Sequence, residues 1–385
     1  MLGGGDRVRV KPAAAASAVG TGLLLGPSLV VARVLHNTGF NPERDRRPDP
    51  LDLQATAIAP GLVTLRDVSG APAIPAAAAG HYLLRGARGW GHAGPVLESN
   101  GVVAVREFRS GAGDLRPGDR VRLDAFAFEG DPLAAHGLPF DDMRFSSPLG
   151  EFPAWHVPGE SDTWAILTHG KGANRREGLR LMPTLAEHGI HSLAITYRND
   201  EGCPPAPRGT YSYGRDEWED LEGAVRFALD RGARRIVLAG YSMGGAITLA
   251  FMRNSPLAAH ASALILDAPM IDLVRTVEHS ARKSGVPVRM LPFSNRVAAR
   301  RYGFDWRDFD HFETACGLDV PVLLFHGDAD RTIPVDTSDA FAIVRPDIVR
   351  YVRIPGADHV RAWNHDPQAY RHTVGEFLRE HLGRR

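Results

Sequence analysis

A serine stands between two glycines in Gly240-Tyr241-Ser242-Met243-Gly244, with the apolar run RIVLAG leading into it and GGAITLAFM leading out. If the first run is a buried strand and the second a helix, the turn between them strains the backbone at Ser242 and lifts its hydroxyl clear of the sheet. Only small residues fit two positions to either side of such a turn, and both are glycine here. The bare G-x-S-x-G string is weak evidence, but its place between strand and helix makes it specific. The competing reading is a glycine-rich turn that merely lets a helix lie close on a strand.

A hydroxyl is a poor nucleophile until a base takes its proton. His359, in IPGADHV after the last apolar run, is the candidate base, with His365 in reserve and His372 also nearby among sixteen histidines. An imidazole needs a carboxylate to fix its tautomer and to stabilise the imidazolium formed during attack. Asp330 in FHGDADRTIP is the candidate acid. Asp328 and Asp267 are rivals that could instead cap or brace a loop. Along the chain the order is nucleophile, acid, base.

The oxygen that becomes negative during attack needs backbone N–H donors. Met243 opens the helix after the serine, where the helix dipole is positive. Lys171, in His169-Gly170-Lys171-Gly172 after the run WAILTHG, offers the second amide. The lysine side chain either touches substrate or is solvated. The HGKG string lacks the Gly-Lys-Ser/Thr ending of a nucleotide-binding loop, so nucleotide binding falls away.

These residues require a particular scaffold. The runs WAILTHG, HSLAITYR, RIVLAGYS, ALILDAP, PVLLFHG and VRYVRIPG are short, apolar and end in small or polar residues. Helical patterns lie between most of them, as in Arg215–Arg231, where Trp218, Leu221, Val225 and Leu229 share a face. Alternation of this kind predicts an α/β fold, a mostly parallel sheet covered on both faces with its chemistry at the carboxyl ends of the strands. DMRFSS-PLGE-FPAWHV reads as a hairpin leading into it. About fifty residues separate ALILDAP from PVLLFHG, which is too many for a simple crossover. They read as a helical cap insertion, at about 270–318, or else as extra packing helices away from the site.

Ahead of this region, 136–385, the segments GLVTLRDV, HYLLRG, GVVAVREF and DRVRLDAFAF alternate apolar with polar and predict a β-rich accessory segment over 55–135. APAIPAAAAG between two of them reads as loop. Residues 1–54 read as a tail that ends in a polar, proline-rich linker from Phe40 to about Asp52. Within that tail, 12–32 carries no charge and follows Arg7, Arg9 and Lys11. It is expected either to be a membrane anchor or export signal, giving membrane association, or to be a surface-docked tail, and its Ala, Gly and Ser content with Pro27 makes insertion marginal.

The 385 residues carry no net charge, so no polycationic surface is available for nucleic acid. Two cysteines, Cys203 and Cys316, make at most one bridge and match no zinc or redox spacing. The oligomeric state stays open.

Taken together, HGKG after a strand, GYSMGG at the turn, HGDADRTIP and GADH resemble the serine α/β-hydrolase superfamily, in the bacterial branch with lysophospholipase-like and serine-aminopeptidase-like members. The resemblance runs from about residue 142 onward. It implies an eight-stranded-type sheet, a cap before the acid-bearing strand, and hydrolysis through an acyl-enzyme with no cofactor and no metal. It places nucleophile, acid and base on Ser242, Asp330 and His359, and the oxyanion amides on Lys171 and Met243. The expected substrate is a small-molecule or lipid acyl compound, with a carboxylic ester the first choice because its cleavage makes the lowest demand on the site. A peptidase or amidase of the same fold is the first alternative, and a non-catalytic scaffold that kept the fold the second.

Overall fold

The computed structural model describes residues 33–34, 36–285, 289 and 291–383. Fourteen strands among them form two sheets. The first six are β1 (Leu53–Ala59), β2 (Leu62–Asp67), β3 (Tyr82–Gly86), β4 (Gly89–Ser99), β5 (Val103–Gly113) and β6 (Arg120–Asp124). They close into an antiparallel barrel in the order β1-β2-β5-β4-β3-β6. Closure removes the exposed edges that short strands would otherwise present. Leu53, Val63, Leu65, Leu84, Val121 and Leu123 point inward and form its core. Arg106 is also fully buried there, and its guanidinium is satisfied by carbonyls alone: Gly94, Ala76, Ala78 and Gly80.

The second sheet has eight strands: β7 (Asp141–Ser147), β8 (Gly150–Val157), β9 (Thr163–Thr168), β10 (His191–Ile195), β11 (Arg235–Tyr241), β12 (Ala261–Asp267), β13 (Val322–Gly327) and β14 (Val349–Ile354). Their order is β14-β13-β12-β11-β9-β10-β8-β7. The β7–β8 hairpin and the β8–β10 pair are antiparallel and the other pairings parallel. Every residue of β9 and β13 is buried, as expected of strands covered on both faces, and their sequences are continuous apolar runs rather than alternating ones.

Six longer helices accompany this sheet among the described residues: α1 (Trp218–Asp230), α2 (Met243–Asn254), α3 (Leu273–Lys283), α4 (Leu291–Tyr302), α5 (Asp336–Val344) and α6 (Pro367–Leu382). The face expected of α1 is the one that packs, with Leu221 and Val225 buried and Trp218 and Leu229 partly so. Helices α3 and α4, with the shorter turns Trp306–Phe309 and Phe312–Cys316, make up the insertion between β12 and β13. Its two ends are tied together beside the serine turn, where the His311 amide donates to Ile271 O and Asp272 bridges to Asp310.

One expectation needs correction. The stretch from Phe40 to about Asp52 is not a spacer. Phe40 is buried against Tyr213, Phe304 and Phe309, with ring centroids 5.2–5.9 Å apart. After it, Asn41 caps a single helical turn, Pro42–Asp45, by accepting from the Glu43 amide. A polar composition signals solvent contact, and one large aromatic within it was enough to anchor the segment to Tyr213 and the insertion between β12 and β13. The stretch 12–32 lies outside the described residues, and no helix among the described residues is long and apolar enough to cross a membrane. Cys203 and Cys316 are both free thiols.

Candidate active site

Ser242 lies between β11 and α2 with φ +52° and ψ −114°, a conformation that non-glycine residues rarely adopt. Its amide donates to Asp267 O and its carbonyl accepts from Gly245 and Met270 N–H, each at 3.0 Å, so the strain is held from three sides. The flanking glycines are sterically required. A β-carbon at Gly244 would lie 2.1 Å from Thr168 O, and one at Gly240 would lie 2.6 Å from Gly244 O.

The structure brings Ser242, His359 and Asp330 into one line. His359 Nε2 is 2.8 Å from Ser242 Oγ, and His359 Nδ1 is 2.7 Å from Asp330 Oδ2. That pattern fixes the tautomer: Nδ1–H donates to the carboxylate, and Nε2 is left to accept the hydroxyl proton. Asp330 sits just past β13, fully buried, and its Oδ1 accepts the Thr332 and Ile333 amides at 2.7 and 2.8 Å. Burial pushes the Asp330 pKa up. The attraction of His359 and the hydrogen bonds from His326 and His359 outweigh burial and hold it well below the usual carboxylate range. Burial likewise pushes His359 down, and the adjoining Asp330 carboxylate more than offsets this, so the imidazole titrates above its ordinary 6.5.

The rival residues do not enter this line. Asp328 is exposed and accepts from the Gly356 amide, bracing its loop. His365 is exposed at the end of the short helix Ala362–His365, and His372 pairs with Glu376 at 3.1 Å. Asp267 is buried behind Ser242, its Oδ2 without a hydrogen-bond partner among the described residues, and burial raises its pKa to about 7 against the pull of Arg180.

The HGKG loop crosses directly over the serine, since a β-carbon at Gly170 would be 3.1 Å from Ser242 Cβ. Met243 is the first residue of α2, and the Lys171 amide follows Gly170 in that loop. The lysine side chain neither points at the serine nor is free in solvent. Its Nζ pairs with Asp45 Oδ2 at 2.7 Å and lies 5.6 Å from the Tyr211 ring centroid.

Several residues that hold the site were not singled out from sequence. His326, at the end of β13, puts a second imidazole on Asp330 Oδ2 at 3.1 Å while its Nδ1 accepts from the Ser338 hydroxyl at 2.7 Å. His169 is buried against Asp200 at 2.8 Å, and the Tyr197 hydroxyl donates to Gly170 O at 3.0 Å. Glu177 and Arg180 form a buried pair below the HGKG loop. The only signal for these was position next to a motif, as with His326 before Gly327 and Glu177 after HGKGANR. No group of three His, Cys, Asp or Glu side chains among the described residues is arranged to hold a metal ion.

A strained serine between strand and helix at the carboxyl edge of a mostly parallel eight-stranded sheet, facing a histidine and an aspartate from the last two strand ends, decides the fold. The chain has the α/β-hydrolase fold. A family model described as serine aminopeptidase, S33, matches residues 159–303, which takes in β9 to β12 and the serine turn. An esterase of Pyrococcus furiosus superposes with a TM-score of 0.53 at 20% identity, over 66% of this chain and 96% of that one. Among curated proteins, Salmonella typhimurium YfhR is 25% identical over 283 residues, 68% of this chain and 90% of that protein. Mycobacterium tuberculosis Rv2307c is 26% identical over 242 residues, 62% of this chain and 76% of that protein. Both carry the description uncharacterized protein. The likeness to the Pyrococcus furiosus esterase is one of fold.

Proposed function

We propose that this α/β hydrolase cleaves a carboxylic ester through an acyl-enzyme. The unbroken Asp330–His359–Ser242 hydrogen-bond line, ending on a serine held at φ +52°, carries the reading. Ser242 Oγ attacks the ester carbonyl carbon as His359 Nε2 takes its proton. The carbonyl oxygen becomes an oxyanion facing the amides of Lys171 and Met243. Collapse of the tetrahedral intermediate breaks the bond to the alkoxy group, which leaves as alcohol with the proton from His359. Water, deprotonated by His359, then attacks the acyl carbon, and expulsion of Ser242 Oγ, reprotonated by His359, releases the acid.

The match to a serine aminopeptidase model favours amide or peptide cleavage as a second reading. Treatment with a serine-directed fluorophosphonate tests the common part. Labelling of the parent that disappears in Ser242→Ala is the expected result, and no labelling of folded parent would favour a non-catalytic scaffold. A panel of nitrophenyl esters against aminoacyl anilides then separates esterase from peptidase, with ester turnover expected to dominate.

A further inference from the structure

The mechanism makes no use of a buried polar chain that runs from the serine to the β-barrel. It begins at the HGKG loop, where the Gly170 amide donates to Glu177 Oε2 at 2.7 Å. Glu177 Oε1 pairs with Arg180 Nη2 at 3.2 Å, and both side chains are almost wholly buried. Arg180 Nη1 then donates to Val360 O at 2.9 Å and reaches Asn364 Oδ1 at 3.4 Å. Val360 directly follows the base His359 and has φ +50°, a strained conformation for a β-branched residue. One guanidinium thus holds both the strained base loop and, through Glu177, the loop over the serine.

Asn364 carries the chain across to the barrel. It is fully buried, and its Nδ2 donates to His81 O at 2.7 Å and to Ala125 O at 2.9 Å, while its own carbonyl accepts the His81 amide at 2.8 Å. Gly80 is pressed so closely here that a β-carbon would lie 2.1 Å from Asn364 O, and its φ is +100°. Behind it stands Arg106, whose carbonyl contacts at Ala76, Ala78 and Gly80 pin the same loop from inside the barrel. A buried guanidinium ringed by carbonyls costs desolvation, and its evident use is to give that loop one shape.

We infer that Asn364 and Arg180 are positioning residues through which the β-barrel holds the base loop and the HGKG loop in register with Ser242. The inference rests on the serine hydrolase reading above and adds that the barrel is part of the active-site scaffold. Neither residue touches the reacting atoms. A misplacement of about 1 Å at a catalytic group costs on the order of a hundredfold in rate, so loosening the junction should appear in kcat.

Two full-chain variants test this. Asn364→Asp keeps an oxygen for Arg180 and removes the donor to the two barrel carbonyls. Gly80→Ala forces the barrel loop off Asn364 from the other side. Asn364→Ser, which empties the junction without adding charge, replaces either variant that does not fold by circular dichroism. Both are expected to lower kcat on a nitrophenyl ester by about ten- to a hundredfold with KM within about twofold of the parent. In Gly80→Ala, which adds no charge, the acid limb of kcat/KM against pH should move down as His359 slips from Asp330, a readout that simple destabilisation does not move. Arg88→Ala, which breaks a barrel ion pair with Asp119 outside this chain of contacts, should leave all three unchanged. Folded variants with parental kcat and pH profile, or with an effect in KM alone, would overturn the inference while Ser242-dependent labelling of the parent stands. Absence of that labelling in the parent would overturn the hydrolase reading and the inference with it.

Discussion

At the scale of single residues, the protonation state of His359 decides when the proposed chemistry runs. Its pKa is raised above 6.5 because the Asp330 carboxylate favours the imidazolium. Raised affinity for a proton in the folded state stabilises the fold below the unfolded value and fades as pH rises through the folded one. The depressed Asp330 contributes in the opposite window, above its unfolded value, and its share is lost as pH falls. Activity needs the neutral imidazole, so kcat/KM should rise with pH through a midpoint above 6.5. Asp330→Asn should reduce kcat on the order of 10⁴-fold and bring that midpoint down, because an amide neither selects the tautomer nor attracts the proton. A parental midpoint at or below 6.5, or an Asp330→Asn variant within about tenfold of the parent, would remove Asp330 from the proposed role. The convergence of the three candidates was legible because each sits at a strand end with its own local signature. Glu177, Arg180, Asn364 and His326 were not, since a buried polar side chain announces itself only through partners far along the chain.

At the scale of elements, the serine turn shows how backbone geometry limits sequence. A methyl at Gly244 would fall 2.1 Å from Thr168 O and 2.7 Å from His169 O, both backbone atoms at the end of β9 that cannot swing aside. Gly244→Ala is therefore expected to lower stability by at least about 3 kcal/mol or to leave no soluble protein, measured by denaturant unfolding beside Ser242→Ala. Near-parental stability would mean that β9 and α2 are not packed this closely. Such elements were readable: the hairpin β7–β8 from its turn, the buried strands of the parallel sheet from short continuous apolar runs, and α1 from its helical period. Strand β4 was missed for a physical reason. Gly89, Gly91, Gly94 and Pro95 look like breakers, yet the strand absorbs them through register shifts at 89/91, 93/96 and 96/98. Gly91 is required there, because a β-carbon would meet the Phe108 ring at 2.4 Å. Strand β1 was overlooked in part because it starts at Leu53, within the stretch assigned to the tail.

At the scale of the whole molecule, three parts of the chain meet at the site, and periodicity alone could not reveal their docking. The barrel arrives through Asn364. The N-terminal segment arrives through the loop before α1 and the HGKG loop: Tyr211 N–H donates to Phe40 O at 2.9 Å, the Tyr213 hydroxyl donates to Gly39 O at 2.7 Å, and Asp45 pairs with Lys171. A β-carbon at Gly172 would lie 2.8 Å from Asp45 Cβ, so this aspartate rests on the loop that carries the Lys171 amide. The pair is a quarter exposed or less on each side, so its worth is about 1 kcal/mol and salt screens it only in part. Asp45→Ala should therefore lower kcat only about two- to fivefold, and raising the parent to about 1 M salt should reproduce only part of that loss. Phe40→Ala should act differently, destabilising the fold by about 3 kcal/mol through its lost packing against Tyr213 and Phe304. If Asp45→Ala keeps both the parental kcat and the parental salt dependence, the N-terminal segment braces only the β12–β13 insertion and the loop before α1, and the loop over Ser242 owes its position to Glu177 and Tyr197.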